Sequence, residues 1–390
     1  MPPVTRRAAI VGTGAIAHAH ARAIAALAPR IELAAVVDLD ADRAAAFAEQ
    51  YAEAAAGGAT APVYSDLATL LASERLDLVH ICTPPGTHVP LATQALRAGV
   101  AALIEKPTAL SLAEMDELVA VSAETGIPAL TVFQHRYGSA AVRLRRLVAE
   151  GALGRPLVAT CETLWHRTPE YFDLPWRGRW EVEGGGPTMG HGIHQFDLLL
   201  SMLGPWSRLT AFAARQALPT DTEDVSMALV EFDSGALATV VNSIVSPRES
   251  SRLRFDFEYA TVEVEHLYGY TEADWRFTPA PGHEQLAALW TVPTAGEISG
   301  GVAGGEISSH RSQLAAILDA LDAGVTPGVD AGEARRTLEF AAATYASAFR
   351  GRPVRAGEIA GDDPFLGSMS GGAVPWHPVK NAMQAKETAA

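Results

Sequence analysis

Apolar and polar positions alternate in blocks along the first third of the chain. Short apolar runs of strand length occupy Ala8–Val11, Leu33–Val37, Leu78–Cys82, Ala101–Ile104 and Ala129–Val132. Stretches with helical spacing lie between them: Ala17–Leu27, Asp42–Tyr51, Leu67–Ala72, Pro90–Ala98 and Leu112–Thr125. This rhythm predicts an α/β fold with a doubly wound parallel sheet and right-handed crossovers. From Arg155 the texture changes. Pro156–Thr163 reads as a strand, and a polar, aromatic segment follows from Trp165 to Trp180. Gly184-Gly185-Gly186-Pro187 introduces a helix from about Thr188 to Leu203, after which strand-like runs dominate: Val225–Phe232, Ala236–Ile244, Ser251–Tyr259 and Thr261–His266. These predict an open, mostly antiparallel sheet with one face covered by helices and the other free, a common subunit interface. Pro279 to Gly305 has a loop-like composition, helices return at His310–Ala323 and Ala331–Phe349, and no internal repeat is apparent. The expected division is 1–132, a doubly wound α/β domain; 133–352, an α+β domain with the open sheet; and 353–390, a tail over the surface or disordered.

At 390 residues the chain is long for a single core, which supports two domains. Its net charge of −15 argues against nucleic acid and anionic membranes as partners. No apolar stretch is long enough to span a bilayer, and because Arg6-Arg7 leads directly into the first strand no signal peptide is expected. The two cysteines, Cys82 and Cys161, form neither a disulfide framework nor a metal motif, so the expected setting is a reducing cytoplasm.

The chemistry gathers at strand ends, where ligands of such sheets bind. Gly12-Thr13-Gly14-Ala15-Ile16-Ala17 is a G-x-G-x-x-A turn between a strand and a helix. Gly12 allows the turn, Gly14 lets the backbone approach a pyrophosphate, and Ala17 permits close packing of helix on strand. Asp38 ends the second apolar run, twenty-one residues after Ala17. A carboxylate there accepts the ribose hydroxyls of NAD and repels the 2′-phosphate of NADP, although Arg43 stands close by in sequence. Thr83-Pro84-Pro85 and Glu105-Lys106-Pro107 also follow strand ends and are expected to converge on the same crevice. Lys106 can hydrogen-bond a substrate hydroxyl or tune a proton acceptor beside it; an ordinary surface salt bridge is the plain alternative. His88 either lines the nicotinamide pocket or caps a helix.

Residues 184–197 read GGGPTMGHGIHQFD. A helix starting at Thr188 puts His191, His194 and Asp197 on one face, and the glycines permit close approach of a ligand to the backbone. A histidine on that helix can take the proton of an alcohol as hydride leaves. His194 as a satisfied core histidine, or the pair as metal ligands, are the competing readings; no metal site is expected. Trp165, His166, Arg167, Tyr171, Trp176, Arg177 and Trp180 suit a polyhydroxylated ligand, or else pack as a lid or interface loop.

Together these residues resemble the glucose–fructose oxidoreductase/inositol dehydrogenase/rhizopine-catabolism (Gfo/Idh/MocA) family over nearly the whole chain. The resemblance is carried by Gly12-x-Gly14-x-x-Ala17 with His20, Asp38, Thr83-Pro84-Pro85-x-x-His88 and Glu105-Lys106-Pro107. Further on it continues through Gly184-Gly185-Gly186, His194, Asp197, His310-x-x-Gln313 and Gly332-Glu333-Ala334, then the helix with Tyr345 and Ser347. It implies that 1–132 is a Rossmann domain, that 133–352 serves substrate binding and oligomerisation, and that a nicotinamide cofactor is held by Gly12, Gly14, Ala15, Ile16, Asp38, Thr83, Pro84, His88, Glu105 and Lys106. It also implies oxidation of a sugar, cyclitol or sugar-acid hydroxyl, with Lys106 and His194 facing substrate and His194 as general base. Trp176, Arg177, His191 and Asp197 would bind substrate, Asp197 otherwise helping to hold the site. Family dehydrogenases often place an aspartate four residues before the catalytic histidine; here that position is Gly190.

The expected activity is therefore that of an NAD-dependent dehydrogenase, a homodimer or homotetramer acting on a small polyhydroxylated substrate. Two alternatives of the same fold stay open: an enzyme that retains NAD and reoxidises it within one turnover, and a sugar- or dinucleotide-sensing protein without catalysis.

Overall fold

The computed structural model describes residues 5–291, 305–372 and 374–380. It separates into two units: Met1–Ala109, Ala113–Val132 and His310–Arg336 form the first, and Leu110–Leu112, Phe133–Ser309 and Thr337–Ala390 the second.

The first unit holds strands β1 (Arg6–Val11), β2 (Ile31–Val37), β3 (Val63–Tyr64), β4 (Leu78–Ile81), β5 (Ala101–Ile104) and β6 (Ala129–Thr131). Its helices include α1 (Ala17–Ala26), α2 (Ala41–Gln50), α3 (Leu67–Ser73), α4 (His88–Arg97) and α5 (Leu112–Thr125). The strand order is β3-β2-β1-β4-β5-β6 and every pair is parallel. β4 and β5 are buried at every position, which is why they read as apolar runs, β4 with His80 as its one polar residue. The order reverses between β1 and β4, and the loops after these strands bound the crevice of a doubly wound sheet.

In the second unit, α6 (Ser139–Ala149) and β7 (Pro156–His166) are followed by α7 (Trp180–Glu183) and α8 (Ile193–Leu203). Then come β8 (Trp206–Ala214), β9 (Val225–Phe232), β10 (Leu237–Ser243), β11 (Val245–Phe257), β12 (Ala260–Glu265), β13 (Trp275–Pro279) and α9 (Leu286–Thr291). Of the last elements, α10 (His310–Asp322) belongs to the first unit, α11 (Ala331–Arg350) begins in the first unit and ends in the second, and β14 (Val354–Arg355) and α12 (Pro364–Gly367) belong to the second. The sheet runs β13-β12-β11-β7-β10-β9-β8-β14; only β7 and β10 pair in parallel. β9 shows the one-sided pattern: Ser226, Ala228, Val230 and Phe232 are buried, while Met227 and Leu229 are exposed. α8 is buried on almost every side and packs against β7 and β11.

Three differences from the sequence reading have physical causes. The chain crosses between units more often than a single boundary at residue 132 allows. α10 returns to the first unit because its buried stripe, Leu314, Ile317 and Leu318, completes the core that contains Ile24 of α1. Part of the region expected as a tail is ordered: β14 pairs with β8, and Trp376 and Lys380 hydrogen-bond to the loop around Asp221. The helix expected from Thr188 starts as one π turn, Thr188–Gly192, before α8. Residues 292–304, within the loop expected between Pro279 and Gly305, and residues 373 and 381–390 of the expected tail lie outside the described residues.

Candidate active site

In the first unit the β1–α1 turn is pressed onto the end of β4. Gly12 has φ +87°, and a Cβ there would lie 2.9 Å from the Thr83 methyl and 3.0 Å from the Cys82 carbonyl. No other residue fits this turn. A Cβ on Gly14 would meet nothing within 4 Å, so the backbone is open on that side. After Ala15 and Ile16, α1 begins without a side-chain cap and without an acidic residue in its first turn, which leaves the positive end of its dipole for an anion.

Asp38, at the end of β2, accepts the Thr13 amide (2.8 Å) and hydroxyl (2.6 Å), the Asp40 amide (3.0 Å) and the Arg43 guanidinium (2.6 Å). Burial would raise its pKa. The hydrogen bonds from Asp40, Thr13 and Arg43 outweigh that and hold the carboxyl well below the usual carboxylate range. Asp38 is thus a fixed anion that ties the glycine turn to β2.

On the β4 and β5 side, Thr83 accepts from the Thr87 hydroxyl at 2.8 Å, and Pro84 precedes the turn into α4. His88 is buried, with Nδ1 2.9 Å from the Pro107 carbonyl and Nε2 2.8 Å from the Thr83 carbonyl. Carbonyls only accept, so neutral His88 donates to one and gains the second bond on protonation. Burial holds its pKa below the ordinary value, against the pull of both carbonyls and of Glu105. His88 therefore braces the loops after β4 and β5. Glu105 is buried and receives His20 Nε2 and His310 Nε2 on one oxygen, each at 3.0 Å, and the Lys106 amide on the other at 3.1 Å. Among the described residues, His20, Glu105 and His310 are the group whose donor atoms stand close enough together for a metal ion.

The set fits a dinucleotide: a tight glycine turn, an uncapped helix start and a carboxylate at the end of the second strand. Gly12, Gly14, Ala15, Ile16 and Asp38 would hold its pyrophosphate and ribose. Thr83, Pro84, Glu105 and Lys106 lie on the two loops beyond.

In the second unit the glycine run serves packing, where close approach of a ligand had been expected. A Cβ on Gly186 would stand 1.9 Å from the Glu223 carbonyl oxygen, and one on Gly185 would stand 2.1 Å from the Tyr345 hydroxyl. Glu223, fully buried, accepts the Gly186 amide (2.9 Å), the Thr188 amide (3.1 Å) and the Tyr345 hydroxyl (2.8 Å). Burial pushes its pKa up, and these bonds oppose the rise. Gly190 differs: a Cβ there would meet nothing within 4 Å.

The π turn splits the expected common face. His191 meets Trp165 (ring centroids 5.0 Å apart), whereas His194 lies near His135 (5.3 Å) and Tyr268 (5.8 Å). Trp165 and Tyr268 are themselves 6.3 Å apart, so both histidines border one aromatic wall. Asp197, expected as a substrate contact, is wholly buried. Its carboxylate takes two bonds from Arg136 (2.7 and 2.6 Å) and one from Thr337 (2.8 Å), so it anchors α8. Arg177 lies against the rings of Tyr171 (4.0 Å) and Trp176 (4.4 Å), and Trp176 is half exposed.

Sequence reasoning missed Arg136, Glu223 and the roles of His20, His80 and His310. Two signals were present: His80 interrupts the apolar run Leu78–Cys82, and Glu223 sits in an acidic cluster directly before a strand.

Residues 6–133 match the family model described as the NAD-binding Rossmann fold of the GFO_IDH_MocA oxidoreductase family, and residues 141–263 match the GFO/IDH/MocA C-terminal domain. The D-apiose dehydrogenase of Paraburkholderia graminis is 27% identical over 382 residues, covering 94% of each chain. The inositol 2-dehydrogenase of Rubrobacter xylanophilus is 33% identical over 41% of this chain and 44% of its own. Among solved structures, the WlbA dehydrogenase from Bordetella pertussis, in complex with NADH and UDP-GlcNAcA, superposes with a TM-score of 0.74 at 26% identity, covering 90% of this chain and 99% of that one.

Proposed function

Because this chain belongs to the Gfo/Idh/MocA family of NAD-binding oxidoreductases, we propose that it oxidises one hydroxyl of a sugar, cyclitol or sugar acid, with NAD as its cofactor. The observation that carries the reading is the Gly12 turn locked to the Asp38 carboxylate, a cradle for the pyrophosphate and ribose of a dinucleotide. Bound nicotinamide supplies the hydride acceptor. Lys106 hydrogen-bonds the substrate hydroxyl and His194 takes its proton. His191, Trp176 and Arg177 bind the remaining hydroxyls; the aromatic wall of Trp165 and Tyr268 suits the apolar face of a sugar ring. NAD is preferred to NADP because Asp38 stays ionised and Arg43, the nearby cation, is spent on it.

The chain works as a homo-oligomer through the free face of its second sheet. Phe212 (76% exposed), Met227 (50%), Leu229 (64%), Leu237 (57%) and Val158 (49%) line that face on adjacent strands. Leu229→Arg should yield monomers in sedimentation; unchanged association would refute this interface. The setting is a reducing cytoplasm: Cys82 and Cys161 are buried thiols whose pKa values burial pushes up, and no helix among the described residues is long and apolar enough to cross a membrane.

The test is a screen of the purified protein with NAD and NADP against inositols, aldoses, ketoses and sugar acids, following nicotinamide absorbance. A substrate-dependent rise with NAD is expected. Bound NAD with no rise across the panel would refute net dehydrogenation.

A further inference from the structure

We propose that His20, Glu105 and His310 are positioning residues for Lys106: the two histidines hold the Glu105 carboxylate, and the carboxylate holds the main-chain amide of Lys106. The proposal rests on the reading of Lys106 as the residue that binds the substrate hydroxyl.

The hydrogen-bond count fixes the arrangement. An ionised carboxylate only accepts, so the two Nε2 atoms 3.0 Å from one Glu105 oxygen both carry protons. The other oxygen takes the Lys106 N–H at 3.1 Å. His20, with Nε2 committed, turns Nδ1 toward Nδ1 of His80 at 2.8 Å. In the neutral pair His80 donates and is left with Nε2 as a bare acceptor, and that atom is buried without a hydrogen-bond partner. The Glu105 carboxylate is the anion of this cluster, with the titratable groups His80, His88 and Cys82 close to it. The geometry makes this charge stable: burial alone would raise the carboxyl, and the bonds from His20 and His310 reverse that. From the other side His88 reaches the Pro107 carbonyl at 2.9 Å. The residues before and after Lys106 are thus braced by side chains from α1, α4 and α10, so Lys106 leaves a backbone that cannot drift. A displacement of about 1 Å at such a residue costs on the order of a hundredfold in rate.

His310 is the member to perturb, since it lies at the edge of the cluster, its side chain 13% exposed. His310→Leu removes one donor to the carboxylate; His310→Gln keeps a donor on a side chain of similar reach. The expected result is a kcat lowered about tenfold in His310→Leu and restored to within about threefold in His310→Gln. KM and NAD affinity stay near wild type. Glu105→Gln, which removes the charge, should shift the limb of the pH–rate profile that belongs to Lys106 to lower pH. Lys106→Met is assayed beside them. Turnover that survives Lys106→Met would refute the role of Lys106 itself. A dead Lys106→Met beside a His310→Leu of wild-type kcat and pH profile would refute the positioning role alone. Loss of NAD binding in His310→Leu would overturn it too, by showing that the cluster serves the fold of the unit. So would a stoichiometric metal ion present in the wild type and lost in His310→Leu.

Discussion

Two glycines four residues apart should respond in opposite ways to the same methyl group. In Gly186→Ala the added Cβ would lie 1.9 Å from the Glu223 carbonyl oxygen and 3.0 Å from its carbonyl carbon. Backbone cannot rotate away as a side chain can, so the loop must move, at an overpacking cost of about 1–3 kcal/mol. Movement also stretches the bonds from the Gly186 and Thr188 amides to the buried Glu223 carboxylate. Losing one such charge-assisted bond costs roughly 1.5–3 kcal/mol. The sum, about 2.5–6 kcal/mol, is a large part of a typical domain's stability. Gly190→Ala meets nothing within 4 Å and should fall within about 1 kcal/mol of wild type. All seven tryptophans lie in the second unit, so urea unfolding followed by tryptophan fluorescence reports on that unit. A large drop in midpoint is expected for Gly186→Ala alone. If Gly186→Ala unfolds at the wild-type urea concentration, or if Gly190→Ala is the worse of the two, the glycine run is not a packing device.

Three further outcomes follow from the site. Asp38→Ala should weaken NAD and, by freeing Arg43 for a 2′-phosphate, relax the discrimination against NADP by about tenfold; an unchanged preference in paired titrations would count against the ribose contact. Burial holds His20, His80 and His88 below the ordinary histidine value of 6.5. The folded state thus refuses protons that the unfolded chain accepts. The stability they confer is complete above 6.5 and declines as pH falls below it, by up to about 1.4 kcal/mol per pH unit for each group. Calorimetry should show the first unit melting earlier at about pH 5 than at about pH 7, and equal melting temperatures would contradict the assignment. Gly190→Asp restores a carboxylate four residues before His194, which stabilises the imidazolium and should move the acid limb of kcat/KM to higher pH. A limb that does not move would separate His194 from the general-base role.

Legibility from sequence followed burial. The parallel sheet was readable because its strands are covered on both faces, so β5 shows as an unbroken apolar run and β4 as one broken only by His80. β3, of two residues, offers too little pattern, and β8 hides behind Ser207, Arg208 and Thr210, whose side chains are only partly covered. α6 was missed because Arg143 is buried within its short apolar stripe of Ala140, Ala141, Leu144 and Leu147. Over the five residues 188–192 no spacing distinguishes a π turn from an α turn. The anchoring of Asp197 depends on Arg136 and Thr337, 61 and 140 residues away, and no local window contains that pairing. The glycine turn and Asp38 were legible for the opposite reason: their chemistry is set by neighbours within one βαβ unit.

The return of α10 to the first unit sets a timetable for synthesis. After β6 has left the ribosome, 177 residues, Phe133 to Ser309, must be made before His310 and the stripe Leu314, Ile317 and Leu318 can cover α1. At elongation rates of about 5–20 residues per second, that flank waits uncovered for roughly nine to thirty-five seconds. Glu105 spends the same interval without its second histidine. Cofactor cannot rescue an early nascent chain whose cradle is still being supported from residues not yet made. Truncation after residue 132 would freeze the molecule in that interval, so a chain that binds dinucleotide in the native way is expected to reach at least Leu318.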